Sequence, residues 1–143
     1  MIDIDGIGES LRLLIENNVT DFKMVRYEGD ERDENMVNMP YCDIQINKIT
    51  PEIRAGSEYV VNATYLVTVI ALDLSSHREA ATIRNGLVKL SMNTIKANPR
   101  FDTDLETTTL GVAEFVSAKD EASNAFLALA TFEVDVLVFV NPL

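Results

Sequence analysis

The alternation of apolar and polar side chains predicts two unusually long β-strands, one from Tyr59 to Leu72 and one from Ala125 to Val140. In the first, every odd-numbered side chain is apolar, whereas the even-numbered ones are half polar. In the second, every even-numbered side chain is apolar, whereas Glu133 and Asp135 interrupt the odd-numbered positions. Successive side chains of a strand point to opposite faces, so each strand is predicted to bury one face and leave the other partly wet.

Both predicted strands are longer than a compact domain of this size. At ~3.3 Å per residue they would span roughly 46 and 50 Å. A single domain of 143 residues measures under about 40 Å across. Such strands must bend, project from the domain or be covered by another chain. The pattern therefore indicates assembly with other subunits.

Two helices are predicted from apolar residues at spacings of three and four. The first begins near Ile4, with Asp3 or Asp5 as its cap, and ends at Asn17-Asn18. The second begins at a capping box, in which Glu79 follows Ser76 by three residues, and runs to about Ala97. Its predicted core stripe consists of Ala80, Ile83, Leu87, Leu90 and Thr94, widened by Val88 and Ile95. Gly86 within it suggests close packing of another element.

Three further strands complete the predicted fold. They cover Val19–Tyr27, Tyr41–Ile49 and Leu105–Ser117, with turns at Thr50–Ser57 and Lys119–Asn124. The predicted class is α+β, with the order α-β-β-β-α-β-β in a single domain over residues 1–143. Because the strands follow one another through short turns, a mainly antiparallel sheet of four to five strands is expected, with both helices packed on it.

The charge balance bears on possible partners. The net charge is −11, so the chain should repel a phosphate backbone, and specific nucleic-acid binding is not expected. The lone Cys42 excludes an intrachain disulfide and suits a reducing compartment. The N-terminus lacks the pattern of a signal peptide, and Glu133 and Asp135 interrupt the longest apolar stretch, so no membrane span is predicted.

Few residues suggest chemistry. Asp102, Asp104 and Glu106 resemble the start of a calcium-binding EF-hand loop, but Thr107 stands where that loop needs glycine. Cys42 with His77, or Glu133 with Asp135, could serve an enzyme or a ligand-binding domain. No catalytic, cofactor or metal site is predicted, and this different class of function remains the alternative.

The order of elements resembles that of a known family. A short N-terminal helix leads to a strand that starts at Pro40-Tyr41, and a long strand then runs into a capped helix through LDLSSHREAA at residues 72–81. A long apolar strand ends the chain. This arrangement is similar to that of the tail-terminator and neck proteins of tailed bacteriophages. The resemblance implies a homo-oligomeric ring, expected to be a hexamer, that caps the tail tube below the head connector.

The resemblance also implies partners and a location. The partners would be the tail tube protein and the connector or neck proteins near the head, in a virion assembled in the host cytoplasm. DNA would pass through an acidic lumen. Neither a cofactor nor a membrane partner is expected for the protein. Another neck, head-completion or tube component remains an alternative within the same apparatus.

Two sets of residues are predicted to carry this function. Those expected at the subunit interface are Asn62, Thr64, Leu66, Thr68, Leu137 and Phe139. Those expected on an acidic surface or lumen are Glu28, Asp30, Glu31, Asp33, Glu34, Glu133 and Asp135. The segment Glu28–Pro40 is predicted to become ordered on assembly.

Overall fold

The structure is a computed structural model that describes residues 3–29, 39–53, 59–121 and 124–140. These residues form two helices and six strands. Their bounds are α1 Ile4–Asn18, β1 Met24–Tyr27, β2 Tyr41–Ile53, β3 Tyr59–Asp73, α2 His77–Ala97, β4 Leu105–Leu110, β5 Glu114–Asp120 and β6 Ala125–Val140. The predicted α+β class is confirmed, with both helices packed against a mainly antiparallel sheet.

The strands form one sheet in the order β1-β2-β3-β6-β4, and β5 also pairs with β6. Only the β1–β2 pair is parallel among the described strands. The two predicted long strands are confirmed and lie side by side, with Tyr59 opposite Val140 at one end and Asp73 opposite Phe126 at the other. Their register shows no shift from end to end, so the two strands pair over their shared length of roughly 50 Å, measured along the strands.

The helices cover one face of this sheet. The odd-numbered side chains of β3 from Val61 to Ala71 and the even-numbered ones of β6 from Ala128 to Val138 are buried, as predicted, and Val67 and Val134 are fully buried. Ile7, Leu11 and Ile15 of α1 complete the core from above, together with Leu87 and Val88 of α2. The opposite face of the sheet, which we call the open face, carries the even-numbered side chains of β3 and the odd-numbered ones of β6.

The first helix is fixed by its cap and by one close contact. The Asp3 carboxylate accepts a hydrogen bond from the Gly6 N–H at 2.9 Å, so Asp3 is the cap. Gly8 lies against the ring of Tyr27, where a Cβ would come within 2.2 Å of the ring. The Tyr65 hydroxyl donates to the Ile4 carbonyl at 2.7 Å. These contacts hold α1 above the β1–β2 side of the sheet.

The second helix begins as predicted but is rotated about its axis. Its cap is Ser76, whose hydroxyl accepts from the Glu79 N–H at 3.1 Å. The predicted core stripe is partly wrong, because Ile83 and Leu90 are exposed while Arg84 and Ser91 are buried. The close packing expected at Gly86 is also wrong, since a Cβ there would meet no described atom within 4 Å.

Several strand limits differ from the prediction. The first strand starts at Met24, because residues from Val19 onward form the turn after α1. β2 continues through Pro51 to Ile53. Proline has no backbone N–H to donate. It is tolerated at this position because an N–H here would point to the side of β2 that has no described partner strand. The predicted strand Leu105–Ser117 is interrupted at residues 111–113, which gives the sixth strand, and β5 then extends to Asp120.

Candidate assembly surface

The structure gathers the six predicted interface residues on the open face. On β3 these are Asn62, Thr64, Leu66 and Thr68, and on β6 they are Leu137 and Phe139. Asn62 lies directly opposite Leu137. Phe139 is 53% exposed, although it is a large apolar side chain. That these residues form an interface stays a prediction; all six lie on the same face of the β3–β6 pair, but Thr64 is fully buried.

The middle of the open face is polar. The Thr64 hydroxyl donates to the Asp135 carboxylate across the β3–β6 pair. The hydroxyls of Thr68 and Thr131 lie 3.3 Å apart on the same pair of strands. Glu133 is opposite Leu66 between these two pairs and is partly exposed. The two acids of β6 therefore lie at the centre of the open face, and Asp135 is held there by a hydrogen bond.

One end of the open face is apolar and covered. Met39, Tyr41 and Ile70 form a small buried cluster there. Leu72, Leu127 and Leu129 pack against this cluster from β3 and β6. At the opposite end Phe139 is exposed, whereas Val60, which lies directly opposite it, is fully buried. The exposed apolar part of the open face at this end is therefore confined to Phe139 and the partly exposed Leu137.

The predicted acidic loop is only partly described. Asp30, Glu31, Asp33 and Glu34 lie outside the described residues, as does most of the segment Glu28–Pro40 that was expected to order on assembly. Glu28 itself follows β1 with a positive φ of 52°. Its carboxylate accepts a hydrogen bond from the Ile46 N–H of β2 at 2.6 Å. Glu28 therefore occupies the sheet edge just beyond the last residue of β1.

The first edge of the sheet is formed by β1 and the free part of β2, and we call it the β2 edge. The β1–β2 pairing ends where Tyr27 lies opposite Ile44. Beyond this point no described strand pairs with the outer side of β2. The exposed stretch carries Lys48 and Pro51, two residue types that discourage further strand pairing. With the cap from Glu28, this edge is partly protected.

The second edge, formed by β4 and β5 along β6, contains a bulge. Leu110 lies opposite Val134, whereas Glu114 lies opposite Thr131. Between these two pairs the edge advances by four residues, from 110 to 114, whereas β6 advances by three, from 134 to 131. The edge therefore contains one more residue than the stretch of β6 that it pairs with. The Gly111 N–H still donates to the Glu133 carbonyl at 2.8 Å. A bulge of this kind is a known way to bend an edge and redirect its side chains.

Beyond the bulge, β5 is exposed on both faces, and we call this strand and Val112 the β5 edge. Val112 is 86% exposed and Val116 is 60% exposed on the open face. Phe115 is 52% exposed on the helix side. No described strand pairs with the outer side of β5. Exposed apolar side chains on an unpaired edge favour pairing with another chain.

A buried arginine fastens the β5 edge to α2. Arg84 donates to the carbonyl oxygens of Val116 at 3.3 Å and Leu129 at 3.5 Å. Its guanidinium carbon lies 4.9 Å from the centre of the Phe115 ring. Among the described residues no carboxylate forms an ion pair with it, and burial lowers the pKa of this side chain. The sequence gives no sign of this role, because arginine in a helix is usually exposed.

The residues considered for catalysis do not converge. Cys42 is fully buried, and burial raises the pKa of its thiol. His77 is exposed at the first turn of α2, and no described contact joins it to Cys42. Asp102 accepts hydrogen bonds from the Ser10 hydroxyl at 2.8 Å and the Asp104 N–H at 3.0 Å, which closes a turn against α1. Over the described ranges, no three potential metal ligands cluster.

Comparisons with known proteins add no relative. No protein-family model matches the chain, and no curated protein matches it. Neither of the two helices in the described part of the chain has the length and apolar character needed to cross a membrane. The functional proposal therefore depends on the sheet edges and the open face.

Proposed function

We propose that this chain is a ring-forming structural subunit of a bacteriophage tail. In this role it is a terminator that ends growth of the tail tube and connects the tail to the head. The observation that carries the proposal is the β5 edge, which presents Val112, Phe115 and Val116 to solvent beside the outer side of β5, where no described strand pairs. In a monomer such an edge promotes aggregation, whereas a subunit that extends its sheet into a neighbour requires an unpaired edge.

The two sheet edges also differ from each other, which favours a closed ring. A contact between unlike surfaces repeats from copy to copy and closes when the rotation allows it. The β5 edge of one copy would pair with the β2 edge of the next, where no described strand pairs with the outer side of β2 beyond the Glu28 cap at Ile46. Each copy then uses the β5 edge and the β2 edge once.

The polar middle of the open face would line the lumen of this ring. Glu133 and Asp135 lie at its centre, on the longest strand of the sheet. With a chain charge of −11, a wall bearing these carboxylates would repel the DNA backbone and let it pass without sticking. The proposed partners are the tail tube protein on one side and the connector or neck proteins near the head on the other. The proposed location is the tail or neck of the virion.

Light scattering of the purified chain, together with negative-stain electron microscopy, tests this proposal. The expected result is a discrete oligomer, most simply of six chains, seen as rings with a central opening. Long tubes that grow with protein concentration would favour a tail tube subunit over a terminator. A monomer at all concentrations would contradict both.

A further inference from the structure

A groove of about 480 Å³ lies between α2 and the bulge on the sheet edge, and we call it the α2 groove. Val88 and Met92 of α2 and Phe115 of β5 give it an apolar floor. Lys89 and Lys96 line its helix side, and both are exposed. None of the described residues that line it is acidic. The chain has 23 acidic and 12 basic residues, so the α2 groove is a positively charged site on an acidic protein.

The outer side of α1 has the complementary character. Leu13 is 46% exposed, on the side of α1 opposite the buried Leu11 and Ile15. Glu9 and Glu16 flank it along the helix, and both are exposed. Arg12 forms ion pairs with both glutamates, so this trio has a net charge of −1. We call Glu9, Arg12, Leu13 and Glu16 the α1 stripe.

The two surfaces also match in spacing. Glu9 and Glu16 are seven residues apart on one helix, and so are Lys89 and Lys96 on the other. Seven residues correspond to about 10.5 Å along a helix axis in both cases. We infer that the α2 groove of one copy binds the α1 stripe of a second copy of this chain. Leu13 enters the apolar floor, and the two glutamates face the two lysines.

The positions of the helices on the sheet allow this contact. Both helices cover the same face, with α1 packed on β1 and β2, and α2 packed on β3 and β6. If the β5 edge of one copy pairs with the β2 edge of the next, the next copy's α1 comes to lie beside the α2 groove. The inference therefore rests on the self-association proposed above. It adds a contact between helices, and this contact fixes the register of the paired edges.

Two charge-reversed chains test the contact. In the first, Lys89→Glu and Lys96→Glu make the groove acidic. In the second, Glu9→Lys, Arg12→Glu and Glu16→Lys make the α1 stripe basic. The ion pairs within the stripe are kept, because the charge of both partners in each pair is reversed. Each chain alone should associate about tenfold more weakly than wild type, as two exposed ion pairs turned to repulsion would predict. Mixed in equal amounts, the two should regain the wild-type assembly, because each acidic surface again meets a basic one.

The matched control is Arg78→Glu with Arg100→Glu, which gives the same net charge as the groove variant at two exposed sites outside the groove. It should associate like wild type in sedimentation or light-scattering measurements. Wild-type association of both reversed chains, or a mixture no better than either chain alone, would overturn the inference and leave the proposed ring standing. A monomeric wild type would overturn both. If the edge variant Val116→Lys still assembles while the reversed chains do not, the groove contact stands and the edge pairing fails.

Discussion

The two edges of the sheet are built in opposite ways. At the β2 edge, the Glu28 carboxylate accepts the Ile46 N–H, and Lys48 and Pro51 follow on the exposed part of the strand. At the β5 edge, Val112 and Val116 point to solvent. One edge is therefore polar and partly capped, whereas the other is apolar and open. The comparison indicates that the β5 edge is the one open to strand pairing, whereas the β2 edge limits such pairing to the backbone groups that its cap leaves free.

The largest expected effect on stability is at the β5 edge. Arg84→Ala removes the hydrogen bonds to Val116 and Leu129 and the contact with Phe115. We expect the free energy of unfolding in urea to fall by about 2 kcal/mol, because a buried charged donor and its cation–π contact are lost together. Hydrogen exchange of the β5 amides should accelerate at the same time.

The control for this variant is Arg78→Ala, on the exposed side of the same helix. It should change the free energy of unfolding by less than about 0.5 kcal/mol. Equal losses for the two variants would show that Arg84 does not fasten the edge strand to α2.

A smaller effect is expected at the β2 edge. Glu28→Ala removes the acceptor of the Ile46 N–H and should lower the free energy of unfolding by about 1 kcal/mol. It also uncaps the edge, so aggregation on storage should increase relative to wild type. Glu28→Gln keeps an acceptor oxygen at the same position and should lose less in both measurements. If the alanine variant were as stable as the glutamine variant, the capping role would be refuted.

The smallest effect concerns a residue that belongs to neither edge. Asp73 accepts hydrogen bonds from the Ser75 hydroxyl at 2.6 Å, the Ser75 N–H at 2.7 Å and the Ser76 N–H at 3.0 Å. The Ser75 hydroxyl is the main cause of the lowered pKa of this carboxylate, followed by the two backbone donors. A lowered pKa stabilises the fold above the ordinary aspartate pKa of about 4, and this stabilisation is lost as the pH falls through the folded-state pKa.

Asp73→Asn keeps the shape of this side chain and removes its charge. We expect the variant to be slightly less stable than wild type near pH 6, with the difference shrinking as the pH falls below about 4. Urea titrations at several pH values measure this, and the oligomeric state should not change. A difference that grew toward low pH would have the wrong sign.

Much of the fold follows from residue patterns along the chain. The bounds of β6 were predicted to the residue, because its even-numbered positions are all apolar and a charged or turn residue ends the pattern on each side. The cap at Ser76 was also predicted, and Asp3 was one of the two candidates for the first cap, since short polar side chains at these positions satisfy free N–H groups within their own helix. Local chemistry determined these features, so the sequence was sufficient.

The features that the sequence did not predict depend on contacts between distant parts of the chain. The bulge at residues 111–113 breaks a stretch that looks like one strand, and Gly111 was its one local sign. The rotation of α2 buries Arg84 instead of Ile83, which apolar periodicity cannot anticipate. The predicted interface did not include Val112 and Val116, because their position on an unpaired edge becomes visible only once the pairing of all the strands is known.

The oligomeric state of Val116→Lys tests the central claim most directly, because this exposed side chain lies on the β5 edge. Lysine is a common means of blocking an edge strand. The control is Leu74→Lys, at a side chain of similar exposure (59%) between β3 and α2. We predict that light scattering shows the wild type and the control as the same oligomer and the folded Val116→Lys as a monomer. An unchanged oligomer in Val116→Lys would contradict assembly through the β5 edge.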